Sequence, residues 1–205
     1  MLASPDTLPL FLKKYQAGGL KQYKRRQPVY KGAGDIICYL DESGSTWGDT
    51  AAWAKAIAMA LLDIAVGNGR NFALIHFSGA GSFKTDVFKP NAYQTEDKLR
   101  AAETFLDGGI DFETPLTEAV RLIHDEGFEN ADIVFITDGE CDISESFTDA
   151  LKKEMSLSKI SITGILLDAL SPGTDFSIKQ VCETIYRTSE LTGDEITTNL
   201  FMNRI

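Results

Sequence analysis

Two histidines and three cysteines in 205 residues leave little material for soft-metal or thiol chemistry. Cys38, Cys141 and Cys182 are an odd number without metal-site spacing, so they read as reduced structural thiols. His76 within a strand and His124 on a helix have no second His or Cys nearby, and each reads as structural. Long apolar runs are also missing: no uninterrupted stretch reaches about 18 residues, and no charged-then-apolar leader precedes a small-residue cleavage site. The expectation is a cytoplasmic chain that does not enter a membrane. The glycines of Ser78-Gly79-Ala80-Gly81-Ser82 follow a strand without a lysine or a helix start, which excludes a phosphate loop. No G-x-S-x-G elbow and no D-x-D nucleophile pair occurs, so acyl transfer and haloacid-dehalogenase-type phosphoryl transfer lack their nucleophiles. There is no internal repeat and no low-complexity segment.

Positive charge is scarce and unevenly placed. Against 30 acidic residues there are 20 basic ones, and seven of those (Lys13, Lys14, Lys21, Lys24, Arg25, Arg26, Lys31) fall in residues 1–33 with Asp6 as the only acid. The rest of the chain carries −16, which repels phosphate backbones and excludes nucleic acid as its partner. Residues 1–33 read as a basic N-terminal arm or linker, with an amphipathic piece from Leu8 to Tyr15. The expectation is that the chain is the carboxyl-terminal part of a longer protein.

What is present is an alternation of strand-like and helix-like segments over 34–205, the pattern of a doubly wound α/β sheet. Strands are expected at about 35–41, 71–78, 132–137 and 160–167, with Phe83–Phe88 as an edge strand and a short strand near Ile185-Tyr186. Helices are expected at about 50–66, 95–106, 115–126 and 144–155, with less regular structure from Asp175 to Cys182 and a last helix after Thr192. The helix at 50–66 is apolar on nearly all sides and is expected to be largely buried.

Two strand ends carry the chemistry. Asp41-Glu42-Ser43-Gly44-Ser45 follows one apolar run, and Thr137-Asp138-Gly139-Glu140 follows another. Oxygen donors at the carboxyl ends of sheet strands suit a hard divalent cation in the crevice where successive loops diverge. Taken alone, Asp41, Ser43 and Ser45 equally describe a turn that caps the next helix.

The D-x-S-x-S and T-D-G pair resembles the metal-ion-dependent adhesion site of von Willebrand factor A domains. Ala52-Trp53-Ala54-Lys55-Ala56, Phe72 to Ser78, Gly108 to Phe112 and Thr114-Pro115-Leu116 extend the likeness over about residues 34–190, toward the bacterial CoxE-like branch. The resemblance implies a Rossmann-like, mostly parallel sheet with one antiparallel edge strand and helices on both faces. It implies Mg²⁺, or Mn²⁺ or Ca²⁺, held by the Ser43 and Ser45 hydroxyls, with Asp41 and Asp138 acting through waters or serine hydrogen bonds. It further implies a non-enzymatic protein-binding module whose ion recruits an acidic side chain, with a MoxR-type AAA+ ATPase as the partner to look for first.

One position departs from the family. Ile110 stands where the pattern has a threonine, so the third hydroxyl is lost, and a water, Asp111 or Thr114 is left to replace it. The alternatives are a Mg²⁺-dependent phosphohydrolase on a Rossmann-like sheet, or a structural domain with a vestigial metal site. Glu140 and Asp142 are further acids near the site.

Overall fold

The computed structural model describes residues 34–168 and 177–190, apart from 126, 127, 129, 140, 142 and 159. The basic arm, Glu140, Asp142, Asp175 and the helix expected after Thr192 lie outside the described residues, as does the side chain of His124.

The chain runs β1 (Ile36–Asp41), α1 (Asp49–Gly67), β2 (Phe72–Phe77), β3 (Phe83–Phe88), α2 (Thr95–Glu103), α3 (Glu113–Asp125), β4 (Asp132–Thr137), α4 (Glu145–Ser158), β5 (Ser161–Leu166) and β6 (Thr184–Arg187). Six strands form one sheet in the order β3-β2-β1-β4-β5-β6. Every pairing is parallel except β2 with β3, which are antiparallel. The glycine-bearing loop 78–82 is thus a tight hairpin turn, closed by Ser78 N–H to Ser82 O at 3.0 Å. The expected architecture, a doubly wound sheet with one antiparallel edge, is the one observed.

Because side chains alternate across a strand, the sheet builds two cores. Ile36, Cys38, Leu40, Phe72, Leu74, Val134 and Ile136 face α1 and Ala101 of α2. Ile37, Tyr39, Ala73, Ile75, Phe77, Ile133 and Phe135 face α3 and α4. Burial on both faces is what a continuous apolar strand such as Ile36–Leu40 requires.

Three expectations about helices change. α1 is long and apolar enough to cross a membrane by length and composition, and in this fold Ala54, Ile57, Ala58, Leu61, Leu62 and Ala65 are packed on the sheet. It is not largely buried all round: Ala52, Ala56 and Asp63 are exposed, because the sheet covers only one side. α2 ends at Glu103, three residues short of Leu106. Thr104 turns extended (ψ 133°), with its carbonyl accepting from Lys55 Nζ at 2.5 Å and its hydroxyl accepting from Lys84 Nζ at 2.9 Å. α4 runs on to Ser158 rather than stopping at Met155.

The sheet order places a topological switch between β1 and β4. From β1 the chain crosses by α1 to β2 on one side, and from β4 by α4 to β5 on the other, so the loops leaving β1 and β4 part company. Their carboxyl ends are Asp41 and Thr137, and the crevice between them is where such sheets bind ligands.

A candidate metal centre at the switch point

Strand alternation sends the consecutive acids Asp41 and Glu42 in different directions. Asp41 is 1% exposed, and its two oxygens are committed to the site loops. Oδ1 accepts Ser43 N–H at 2.9 Å, and Oδ2 accepts the Thr137 hydroxyl at 2.5 Å. Thr137 Oγ1 in turn accepts Gly139 N–H at 3.0 Å, so the β4 end is locked to the β1 end through one hydroxyl. Burial pushes the Asp41 carboxyl up from 3.8 to about 6, a rise to which Asp138 adds and which the hydrogen bonds from Ser43 and Thr137 oppose.

Ser43 opens a single helical turn, Gly44–Thr46, that is held by the Thr46 hydroxyl donating to Ser43 O at 2.8 Å. This turn brings Ser43 Oγ and Ser45 Oγ to 3.0 Å, with Ser45 at the solvent side. Asp138, directly after the β4 end, is half-buried and raises the Asp41 carboxyl by its charge. Gly44 N–H donates to Gly108 O at 3.0 Å, and Asp111 N–H to Ser78 O at 2.8 Å, which seats the third loop against the β1 loop and the β2–β3 turn. The approach is close there: a Cβ on Gly44 would lie 3.3 Å from Asp107 Oδ1, a side-chain atom, and at ordinary contact distance, 3.5 Å, from Gly108 O.

In that third loop Ile110 is half-buried and packs against the core on the α3 side. Asp111 Oδ1 accepts Glu113 N–H at 3.0 Å, and its Oδ2 accepts the Thr114 hydroxyl. Asp111 and Thr114 therefore cap α3 with each other's help, next to the site.

The donors fit a hard cation. No cluster of three or more His, Cys, Asp or Glu suited to a metal exists among the described residues, so the available set is hydroxyls with carboxylates behind them. Adjacent oxygens around a six-coordinate Mg²⁺ at roughly 2.1 Å stand about 3.0 Å apart, the separation of the two serine hydroxyls. A cation would also offset the charge of Asp41, which is buried, has Asp138 as a like charge and finds no basic partner among the described residues.

Sequence reasoning missed the polar cluster on the opposite face of the β1 end. Glu42 is fully buried, with Oε1 at 2.9 Å from His76 Nδ1 and Oε2 at 3.5 Å from Lys55 Nζ. His76 Nε2 lies 3.5 Å from Asp86 Oδ2, which also pairs with Lys84 at 2.9 Å. Burial raises the Asp86 carboxyl, but His76 and Lys84 outweigh it and hold the group below the ordinary value. The signal in the sequence was a histidine in phase with the buried residues of β2. The structural reading of His76 stands, with Glu42 as its partner. Of the cysteines, Cys38 is buried, Cys141 is half-buried with its thiol 3.8 Å from Ile110 O, and burial pushes Cys182 up to about 12.

No protein-family model matches the chain. It is 33% identical over 184 residues to an uncharacterized protein of Methanocaldococcus jannaschii, covering 86% of this chain and 46% of that one. It is 31% identical over 108 residues to the regulatory protein ViaA of Photorhabdus laumondii, covering 53% of this chain and 22% of ViaA. The chain thus spans less than half the length of these relatives. Among solved structures, the SpRpn10 VWA domain superposes with a TM-score of 0.61 at 13% identity, over 82% of this chain and 94% of that one. Proximal thread matrix protein 1 of the mussel byssus, solved with a zinc-occupied MIDAS motif, superposes with a TM-score of 0.59 at 19% identity, over 82% of this chain and 46% of that one. With its strand order, its single antiparallel edge and these superpositions, the chain has the fold of a von Willebrand factor A domain.

Proposed function

We infer that this domain is a cytoplasmic, non-enzymatic protein-binding module that works through a divalent cation, with Mg²⁺ first and Mn²⁺ or Ca²⁺ as alternatives. The observation that carries this reading is the Ser43–Ser45 hydroxyl pair at 3.0 Å, set at the switch point over the buried Asp41 carboxylate. Ser43 and Ser45 would hold the ion directly, and Asp41 and Asp138 would supply charge from behind. The Thr137 hydroxyl keeps Asp41 in place. A bound cation with neutral hydroxyl donors keeps its appetite for an anionic oxygen, and a partner's acidic side chain supplies one. The likeness to a structure with an occupied MIDAS motif supports the cation, and the likeness to a regulatory protein is consistent with a partner-binding role. A MoxR-type AAA+ ATPase is the first partner to test.

Thermal melts in EDTA and in millimolar Mg²⁺ test the ion. At about a hundredfold over its Kd, a ligand of the folded state stabilises by about 2.7 kcal/mol, or roughly 5–10 °C for a domain of this size. pH sharpens the test. Asp41 has a folded pKa near 6 against 3.8 unfolded, so its contribution to stability is full below 3.8 and is lost as pH rises through about 6. In EDTA that loss is about 3 kcal/mol. Asp86, Asp97 and Asp168 are held below their ordinary value and stay charged between pH 5 and 7, so they add no slope there. The Mg²⁺-induced rise in Tm is expected to grow from pH 5 to pH 7 and to vanish in Asp41→Asn. A wild-type Tm indifferent to Mg²⁺ at pH 7 overturns the reading, as does phosphomonoester turnover abolished by Ser43→Ala.

Ile110→Thr returns a hydroxyl to the third loop. Calorimetric titration is expected to show Mg²⁺ binding about tenfold tighter, some 1.4 kcal/mol. Folding stability should fall by about 1 kcal/mol, because Ile110 packs on the core. Unchanged affinity, combined with loss of binding in Asp111→Asn, would assign the third ligand to Asp111 instead.

A further inference from the structure

β3 ends the sheet, and no strand pairs with its outer side among the described residues. Two hydrogen bonds fix which backbone groups lie on that side. Phe77 O accepts Glu42 N–H at 2.8 Å, toward β1, and Ser78 N–H donates to Ser82 O at 3.0 Å, toward β3. Alternate residues of an antiparallel strand direct their backbone groups to opposite sides. Phe72, Leu74 and His76 therefore bond Phe88, Asp86 and Lys84 across the ladder, and the N–H and C=O groups of Phe83, Thr85 and Val87 point outward. The register with β2 is continuous through all six residues of β3, with no proline or bulge to blunt the edge. Such an edge is a template for pairing.

The side chains on this edge are complementary to themselves. Phe83 and Val87, 41% and 36% exposed, share the α3 face of the sheet with Thr85, whose hydroxyl is buried and finds no partner among the described residues. Lys84 and Asp86 share the α1 face and pair at 2.9 Å, so the lysine that would guard the edge is already matched by an acid. A second β3 laid antiparallel, with a two-fold axis at Thr85, sets Phe83 against Val87 of the second copy, Thr85 against its own copy, and Lys84 against Asp86 of the second copy. Every outward-pointing residue then meets an outward-pointing one, which completes the hydrogen bonds. Lys84 and Asp86 fall at the intervening pairs, where facing residues are closest, about 4.5 Å between Cα atoms. Moving the axis to Lys84 or to Asp86 would put lysine against lysine or aspartate against aspartate, so charge selects the register.

We propose that β3 is a homodimer interface, through which two copies of the chain pair antiparallel and join their six-stranded sheets into one. The two-fold axis stands perpendicular to the sheet, so the contact is isologous and closes at two copies. Phe83 and Val87 of each copy cover those of the other, and the two Thr85 hydroxyls come to face one another. The crevices at the ends of β1 and β4 open at opposite ends of the joined sheet, and pairing at β3 does not involve the ion. A single strand is a small interface, which makes the dimer a weak one that depends on concentration.

Sedimentation velocity of the full chain over a micromolar concentration series tests this, and a monomer–dimer equilibrium is expected. Thr85→Pro removes an outward N–H and no bond to β2, so it should weaken the dimer at least tenfold while Tm stays at the wild-type value. Register is read separately with Phe83→Cys and Val87→Cys. A short thiol-reactive cross-linker should join the two variants when they are mixed, and neither variant to itself, above the background of the wild-type thiols. A chain that is monomeric throughout the series overturns the proposal, and a Thr85 amide that is nonetheless protected from hydrogen exchange would give the edge to another segment of the chain. A dimer that Thr85→Pro leaves intact overturns it as well, as does Phe83→Cys linking to itself as readily as to Val87→Cys.

Discussion

Phe135→Ala is expected to cost about 3–5 kcal/mol of folding stability and to lower Tm by about 10 °C or more. Phe135 is fully buried in the middle of β4, with ring centroids 5.1 Å from Tyr39, 5.2 Å from Phe77 and 4.9 Å from Phe112. These rings come from β1, β2 and the start of α3, each within two residues of a site element: Tyr39 before Asp41, Phe77 beside Asp41 in register, Phe112 after Asp111. Removing the central ring leaves a cavity that three rigid neighbours cannot fill, since close-packed interiors relax only in part. The same loss loosens the platform under the ion site, so Mg²⁺ affinity should fall with stability. Urea unfolding gives the first quantity and calorimetry the second. A loss below about 1 kcal/mol would show that the four rings do not act as one packed unit.

His76→Leu is expected to cost a similar amount, about 3–5 kcal/mol, for a different reason. Glu42 has no exposure, and without His76 its carboxyl group keeps, among the described residues, Lys55 at 3.5 Å. A buried polar group stripped of its main partner is more costly than the absent pair. The double variant Glu42→Met/His76→Leu should therefore recover much of the loss, giving a coupling of more than about 1 kcal/mol in a double-mutant cycle read by urea unfolding. Simple additivity would show that the contact between Glu42 and His76 contributes nothing of its own. Because Glu42 sits between Asp41 and Ser43, Mg²⁺ affinity in the single variants reports whether the cluster also steadies the ligand loop.

The strand ends and the crevice between them were legible in the sequence because their causes are local. Apolar runs such as Ile36–Leu40 and Ile133–Ile136 read as strands buried on both faces, since a strand inside a parallel sheet buries four or five consecutive apolar residues with their backbone groups paired. Alternation with helix-like segments implied parallel strands, and the hydroxyls of Ser43 and Ser45 are close because they are two residues apart on one turn. Phe83–Phe88 read as an edge strand from its mixed polarity, and its pattern of partial exposure agrees.

Other features depend on residues that only the tertiary structure brings together. Asp41 and Glu42 are both acids at one strand end. Register with β2 and β4 decides that the first meets Thr137 and the second meets His76, residues that lie 96 and 34 positions away. Helix α2 stops early because Lys55 and Lys84, from α1 and β3, converge on Thr104. No local propensity records that. Asp111 and Thr114 read in the sequence as replacements for the hydroxyl lost at Ile110, and they are bonded to one another at the start of α3. Composition and period determined which segments are strands, which are helices and where an ion could sit. The long-range pairing of strands decided which acid faces the crevice, which faces a histidine, and that Trp47 rests on Phe105 at the rim, because each of those outcomes requires side chains far apart in sequence to share one edge of the sheet.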